Sequence, residues 1–306
     1  MAGSITDVPG VRVGHAHDSE AQTGCTVIIP PSGTMGGISM AGAAPATRET
    51  NLLRVDGITR EVHGVLLTGG SAFGLDAAGG VIRWLENRVI GFNAGVARVP
   101  LVPTLSLFDL AIGSATIRPD AAMGEQACEL ASENPPEEGA VGVGCGATVG
   151  KLLGMDQCQH SGVGNASAVV GERTVGVLAV SNAFGDLKNS EGGIVAGARK
   201  PGTDGYMDTA EYLKTKGALP AVDPFANCTF AVVAVDMTLD RRMANRLAEM
   251  AATGISRTVS PAHTLFDFDV VIALGCGGGD GDLHAIGTAA AELVQEALLR
   301  GAQAVV

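Results

Sequence analysis

The residue pair best suited to chemistry is Asn227–Cys228, where a polar turn containing Pro224 meets an apolar run. A cysteine at such a junction can attack the carbonyl of the preceding residue and form a thioester by an N-to-S acyl shift. Water then releases a free α-amino group on Cys228, and an amine with a pKa near about 8 can act as general base for its own thiol. The same residue types also fit a core thiol at the start of a strand.

The chain on both sides of Cys228 suits a processing site. Residues 229–235 are predicted to form a buried strand. The polar stretch 186–227 contains Gly and Pro and is expected to be an exposed connection that leads abruptly into this strand. Cleavage would divide a single domain, 1–306, into an α fragment of residues 1–227 and a β fragment of residues 228–306.

Strand and helix patterns are mixed along the chain. Short β-branched runs predict strands at 26–29, 140–143, 168–170, 174–180, 229–235 and 270–274. Amphipathic spacing and cap residues predict helices at 73–88, 121–132, 240–252 and 282–299. Two adjacent strand runs within 164–180 predict an antiparallel hairpin. This order leaves a doubly wound parallel sheet open, but a sandwich of sheets covered by helices fits it better.

The glycine-rich segments do not match nucleotide-binding motifs. Around Gly150 and Lys151, Cys145 stands at the first glycine of a P-loop and Leu152 at its Ser/Thr. Residues 275–280 end in Asp where the dinucleotide fingerprint needs its third glycine. Residues 70–74 have the wrong spacing for a hydrolase elbow and predict a turn before a helix. No cofactor is expected.

The histidines and cysteines show no metal-site pattern. His15 and His17 alternate, as do Cys158 and His160, so each pair can share one face of a strand. Neither pair has a second half at metal-site spacing, and the six cysteines include no CxxC pair. Structural roles without a metal are expected, and zinc stays open only if distant residues converge.

Composition disfavours several classes of function. Apolar residues make up 46% of the 306 and charged residues 17%, which allows a large core. The net charge is −12 with no basic cluster, so nucleic-acid binding is disfavoured. No apolar run approaches the length of a membrane span, and the N-terminus lacks a signal-peptide pattern. A cytoplasmic protein with no membrane partner is expected.

Four segments, 23–28, 43–50, 63–78 and 261–269, together resemble one family of hydrolases. It is the L-aminopeptidase/D-amidase-esterase family of self-processing N-terminal-nucleophile hydrolases, with β-peptidyl aminopeptidases and nylon-oligomer hydrolases among its members. The resemblance covers nearly the whole chain, and the combination of motifs makes it specific.

This resemblance implies roles for five residues. Cys228 matches the Ser or Thr before which family members cut themselves. Lys151 matches the catalytic lysine, whose charge would lower the pKa of the thiol. Asn182 matches the asparagine that donates its amide N–H to the oxyanion. Asp267 and Asp269 match the paired acidic positions, and their spacing of two puts both on one side of a strand, where they can orient the Cys228 amine.

The resemblance also implies a fold, a substrate class and an assembly. The expected fold class is α+β, a four-layer αββα sandwich of the Ntn-hydrolase type with the Cys228 strand at its centre. The expected activity is hydrolysis of amide bonds in small peptides, amino-acid amides or oligomers with a free amine, by a homo-oligomer, a tetramer or larger. Phe268 and Val270 replace the family's common Gly and Thr, so specificity is not transferred. An acyltransferase of the ornithine acetyltransferase type and a non-catalytic, uncut homologue stay open.

Overall fold

The computed structural model describes residues 3–58, 61–219 and 227–305. Its helices are α1 (Ala77–Asn87), α2 (Ala121–Glu129), α3 (Thr209–Lys216), α4 (Arg241–Thr258) and α5 (Leu283–Gln303). No helix in these ranges is both long enough and apolar enough to cross a membrane. The strands are, in chain order, β1 (Arg12–Asp18), β2 (Thr23–Ile29), β3 (Met35–Gly42), β4 (Thr47–Arg48), β5 (Val65–Thr68), β6 (Phe92–Asn93), β7 (Arg98–Val99), β8 (Thr104–Ser106), β9 (Thr148–Val149), β10 (Gln159–His160), β11 (Val163–Val170), β12 (Arg173–Asn182), β13 (Asp186–Lys188), β14 (Ile194–Ala196), β15 (Ala198–Arg199), β16 (Tyr206–Met207), β17 (Cys228–Val235), β18 (Val259–Ser260) and β19 (Phe268–Gly275).

Two five-stranded sheets form the centre of the fold. The first sheet has the order β1-β2-β5-β8-β4, and the second has the order β11-β12-β17-β19-β3. β17 is the middle strand of the second sheet, antiparallel to β12 and parallel to β19. All eight residues of Cys228–Val235 are buried, as a continuous apolar run predicts for a strand covered on both faces.

The layers follow the order helix, sheet, sheet, helix. Side chains of both sheets, such as Leu67 and Ile272, share one apolar core between them. α4 and α5 cover the outer face of the second sheet, where Leu293 and Val233 share a second core. α1 and α2 cover the first sheet in the same way, with Val81 in the core beneath them. This confirms the predicted α+β, four-layer αββα sandwich.

Most of the long elements predicted from the sequence are present. The four predicted helices correspond to α1, α2, α4 and α5, and the predicted hairpin is the antiparallel pair β11–β12. The strand predicted at 140–143 is wrong, because Gly142–Gly144 forms a short 3-10 helix. Gly142 has φ 53°, a left-handed conformation that glycine adopts without a Cβ penalty and that a strand cannot accommodate.

The prediction that 186–227 is an exposed connection is wrong in its first part. Asp186 is fully buried at the start of β13. Its carboxylate accepts hydrogen bonds from the N–H of Ala198 at 3.0 Å and from the N–H and hydroxyl of Thr209 at 2.8 and 3.0 Å. These bonds tie the stretch to the fold. The later part of the predicted connection, 220–226, lies outside the described residues.

Candidate active site

Cys228 is the first residue of the middle strand of the second sheet, at the end of the sheet where β17 and β19 begin and β12 ends. Its partner across the antiparallel pair is Asn182, the last residue of β12. The preceding residue, Asn227, forms a parallel bridge with Asp267, just before β19. All four residues are at most 6% exposed. Sheet register alone therefore brings together three predicted site residues that are far apart in sequence.

Lys151 lies at the same end of the sheet, in a short 3-10 helix, Lys151–Leu153, which follows β9. Its backbone N–H donates to the carbonyl of Phe184 at 3.0 Å, and its Nζ donates to the carbonyl of Asn182 at 2.9 Å. Burial lowers the pKa of Lys151 to about 8, although the nearby Cys228 and Cys158 thiols act in the opposite direction. A lysine with this pKa can exchange a proton near neutral pH.

The surroundings of the Cys228 thiol favour its protonated form. Burial raises its pKa well above the ordinary value, Lys151 lowers it, and Asp269 and Asp267 raise it further. Lys151 therefore acts in the expected direction, but burial outweighs it. Because the thiolate is the nucleophilic form, attack by this sulfur requires a base.

The side-chain amide of Asn182 is fixed by its neighbours. Its Oδ1 accepts a hydrogen bond from the N–H of Thr148 at 3.0 Å, and its Nδ2 donates to the carbonyl of Phe108 at 3.0 Å. The Oδ1 bond orients the amide so that its N–H side is directed toward Phe108. The role of Asn182 as an oxyanion donor stays a prediction.

Asp267 and Asp269 are both buried close to Cys228. Asp267 Oδ2 accepts from the N–H and hydroxyl of Thr264 at 2.9 and 2.6 Å. Burial and then the charge of Asp269 raise the pKa of Asp267. Two carboxylates that share a dry site repel each other, so a cation or a proton between them is favoured. Their role beside an ammonium stays a prediction.

His263 is a site residue that the sequence analysis did not single out, although segment 261–269 contains it. Its N–H donates to Asp269 Oδ2 at 3.0 Å, and its Nδ1 lies 2.8 Å from the same oxygen. Its Nε2 lies 2.8 Å from the hydroxyl of Ser256 in α4. The hydrogen bond to Asp269 raises the pKa of His263. His263 thus joins Asp269 to the helix layer.

A cavity of about 380 Å³ opens beside the Cys228 thiol. Most of its walls are small and apolar, with hydroxyl groups contributed by two serines. The residues that line it are Ala44, Pro45, Ala46, Ser71, Ala72, Ser106, Phe108, Asn227 and Cys228. Its size is at the lower end of the range for small-molecule sites.

The cavity wall at Ser71 is built by the turn that was predicted at 70–74. The prediction of a turn before a helix is confirmed, because the 3-10 helix Ser71–Asp76 continues into α1. Asp109 holds this turn by accepting from the N–H of Gly70 at 2.7 Å and the hydroxyl of Thr23 at 2.6 Å. Ser71 has φ 55°, a strained conformation for a residue other than glycine. Sequence reasoning found the turn but not its place in the cavity.

The candidate metal ligands do not converge. Within residues 3–58, 61–219 and 227–305, no three or more His, Cys, Asp or Glu side chains are grouped to hold an ion. His15 Nδ1 lies 2.8 Å from the hydroxyl of Thr26 on the neighbouring strand.

Known proteins with similar sequences are named as hydrolases of peptide or amide bonds. The sequence profile of peptidase family S58 matches residues 3–304. An uncharacterised aminopeptidase of Mycobacterium tuberculosis is 41% identical over 293 residues, covering 90% of this chain and 81% of that protein. A 6-aminohexanoate-oligomer endohydrolase of Kocuria sp. is 29% identical over 276 residues, covering 88% of this chain and 73% of that protein.

Solved structures share the fold. The L-aminopeptidase D-Ala-esterase/amidase of Ochrobactrum anthropi, described as a variant of the Ntn hydrolase fold, matches with a TM-score of 0.73 at 20% identity, covering 100% of this chain and 88% of that one. A β-aminopeptidase of Burkholderia sp. matches with a TM-score of 0.68 at 24% identity, covering 98% and 87%. The predicted Ntn-hydrolase-like fold is thus confirmed. Because the family profile spans nearly the whole chain, this protein belongs to peptidase family S58 and is a hydrolase of peptide or amide bonds.

Proposed function

We propose that this protein is an aminopeptidase or amidohydrolase that cuts its own Asn227–Cys228 bond and then uses Cys228 as an N-terminal nucleophile. The observation that carries the proposal is the position of Cys228, a thiol on a cavity at the start of the central strand, beside a buried lysine and two buried carboxylates. The relatives named aminopeptidase and amide-oligomer hydrolase support the class of reaction.

Lys151 is the base that we assign to self-cleavage. The uncut chain has no α-amine at Cys228, so the thiol proton must pass to another group. Because the pKa of Lys151 is about 8, part of it is neutral near physiological pH. In the proposed step Lys151 takes the thiol proton while Sγ bonds to the carbonyl carbon of Asn227. The C–N bond then breaks, and the nitrogen of Cys228 takes a proton and leaves as an amine. Water hydrolyses the thioester to the Asn227 carboxylate and the Cys228 thiol.

After the cut, the new amine of Cys228 becomes the base for its own thiol. The thiolate attacks a substrate amide, the leaving amine takes the proton, and water releases the acyl group. Asp267 and Asp269 stabilise the ammonium form, and Asn182 is the proposed donor to the oxyanion. From the family resemblance we also propose substrates with a free amine and a cytoplasmic homo-oligomer, a tetramer or larger. The small apolar walls of the cavity suit an acyl group of amino-acid size.

Intact-mass measurement of the purified protein tests the proposal. The expected result is two fragments, 1–227 and 228–306, and hydrolysis of a panel of aminoacyl amides. A wild-type chain that stays intact and hydrolyses none of these amides would overturn it. Adding an amine acceptor to the same assay separates hydrolysis from acyl transfer, since a transferase would yield the acylated acceptor as its main product.

A further inference from the structure

The carbonyl that self-cleavage would attack has a hydrogen-bond donor in the fold. The backbone N–H of Phe268 donates to the carbonyl oxygen of Asn227 at 3.0 Å. The bond extends the parallel pairing of β17 and β19 back across the Asn227–Asp267 bridge. Asn227 and Phe268 are each 6% exposed, so bulk water has little access to this bond. In a dry environment such a donor interacts strongly with a developing negative charge.

The Asp267–Phe268 peptide group, which supplies this N–H, is also hydrogen-bonded through its carbonyl. The carbonyl of Asp267, which shares a peptide unit with the Phe268 N–H, accepts hydrogen bonds from the N–H groups of Ala43 at 2.9 Å and Ala44 at 3.4 Å. Bonds arranged in series polarise one another, so acceptance at the carbonyl makes the N–H a stronger donor. A chain of backbone hydrogen bonds therefore runs from Ala43 through the Asp267–Phe268 peptide to the carbonyl of Asn227.

Gly42 allows this close arrangement. It has φ 91°, and a Cβ at this position would collide with the carbonyl oxygen of Asp267 and lie 3.3 Å from the nitrogen of Phe268. Any side chain at position 42 would therefore displace the peptide group that binds the Asn227 carbonyl.

We propose that the backbone N–H of Phe268 is the oxyanion donor of self-cleavage, holding the Asn227 carbonyl and stabilising the charge that develops on its oxygen. The inference rests on the proposed function. As Sγ of Cys228 bonds to the carbonyl carbon and the thiol proton passes to Lys151, the C=O π electrons move onto the oxygen that faces the Phe268 N–H. They return when the C–N bond breaks and the nitrogen takes a proton.

Substituting Phe268→Pro removes the N–H, whereas Phe268→Leu keeps it. Loss of one oxyanion donor slows hydrolases by about 10²–10³-fold, so the expected self-cleavage of F268P is slower by about that factor. F268L changes only core packing, and we expect its rate to fall less than about tenfold. Full-length chains are pulse-labelled in cell-free translation, and conversion to the 1–227 and 228–306 fragments is followed on denaturing gels.

A second pair of variants tests the packing of Gly42 against the Asp267–Phe268 peptide. Gly42→Ala pushes on the Asp267–Phe268 peptide. Gly33→Ala introduces the same side chain at a similarly left-handed glycine, φ 79°, with no atom within 4 Å of the added Cβ. The expected result is slower self-cleavage in G42A and unchanged self-cleavage in G33A. Circular dichroism and thermal melting verify that each chain is folded.

The outcomes separate the two proposals. A folded F268P chain that is cut as fast as F268L overturns the inference. If F268P does not fold, the glycine pair decides, and equal rates in G42A and G33A overturn it. A wild-type chain that is never cut overturns the proposed function itself. If the wild type is cut and F268P and G42A are cut equally fast, only the role of Phe268 is refuted.

Discussion

Cys25 and Cys228 are both buried thiols in strands, one in each of the two central sheets. Burial is the largest influence on both and raises the pKa of each thiol. The neighbouring charges differ. Around Cys25, Cys128 and Asp120 raise the thiol pKa further. Around Cys228 the ammonium of Lys151 lowers the thiol pKa, against the carboxylates of Asp269 and Asp267, which raise it. Burial disfavours the thiolate of both residues, and Cys228 differs from Cys25 in having a cation and a cavity beside it.

The buried carboxylates Asp186 and Asp269 show the same contrast. Both oxygens of Asp186 accept hydrogen bonds from Ala198 or Thr209. In Asp269, Oδ2 accepts both bonds from His263, while the buried Oδ1 has no partner among the described residues. The hydrogen-bonding capacity of Asp186 is taken up by the fold, whereas the unbonded oxygen of Asp269 can still accept a hydrogen bond from an ammonium.

The largest expected effect is the loss of self-cleavage in Cys228→Ala. Without the sulfur no acyl shift occurs, so the chain should migrate as one band of 30.8 kDa. Cys25→Ala is the matched control, and we expect it to be cut like the wild type while losing about 1 kcal/mol of the free energy of unfolding. Denaturing gels and intact mass check both chains. A C228A protein that is still cut after Asn227 would contradict the contrast between the two thiols.

Lys151→Met should slow self-cleavage by about 10²–10⁴-fold, the usual contribution of a general base. Because only the neutral amine accepts the thiol proton, the wild-type rate should rise with pH through about 8, the pKa of Lys151, and level off above it. The control is Lys188→Met, which removes a lysine paired with Asp208 at 2.7 Å. Cleavage rates measured on both sides of pH 8 decide. An unchanged rise in K151M would show that another group is the base.

Asp269→Asn should reduce kcat/KM on an aminoacyl amide by about 10²-fold, because the neutral amide no longer stabilises the Cys228 ammonium. The side chain can still accept from His263, so the free energy of unfolding should change little. Asp186→Asn should do the reverse. It leaves buried donors without an acceptor and costs about 1–3 kcal/mol of stability, with kcat/KM unchanged. Urea unfolding and amide-hydrolysis kinetics on both variants test this opposite pattern. If both variants lost stability and kcat/KM to the same extent, the contrast between Asp186 and Asp269 would be wrong.

The fold could be predicted where local pattern and tertiary environment agree. The apolar run of β17 and the amphipathic α4 and α5 have long, regular signals. α3 was missed because it is short and polar, and long-range bonds between Asp186 and Thr209 fix its start. The strand predicted at 140–143 failed because the pattern of apolar residues does not reveal the left-handed backbone of Gly142.

The site could be predicted only in part. Cys228 stands where a polar turn meets an apolar run, a pattern visible in the local sequence. Lys151 and Asn182 were identified only through the family resemblance, not through spacing. His263 was missed because its partner Ser256 lies on another element. The Phe268 N–H was missed for a more general reason: every residue but proline has this group, and only sheet register shows which one faces the carbonyl of Asn227.

The smallest expected effect is the part of the pH dependence of stability that Asp186 contributes. Burial raises the pKa of Asp186 to about 6, against the opposing hydrogen bonds from Thr209 and Ala198. Because this folded pKa lies above the unfolded value of about 3.9, the native state binds more protons between the two. The contribution of Asp186 to stability is therefore fully present below about pH 4 and is lost as pH rises through about 6. In the uncut Cys228→Ala background, adding Asp186→Asn should reduce the slope of the free energy of unfolding against pH, measured by urea unfolding across that range. Identical slopes with and without Asp186 would mean that its three hydrogen bonds offset the cost of burial completely and that folding does not raise its pKa.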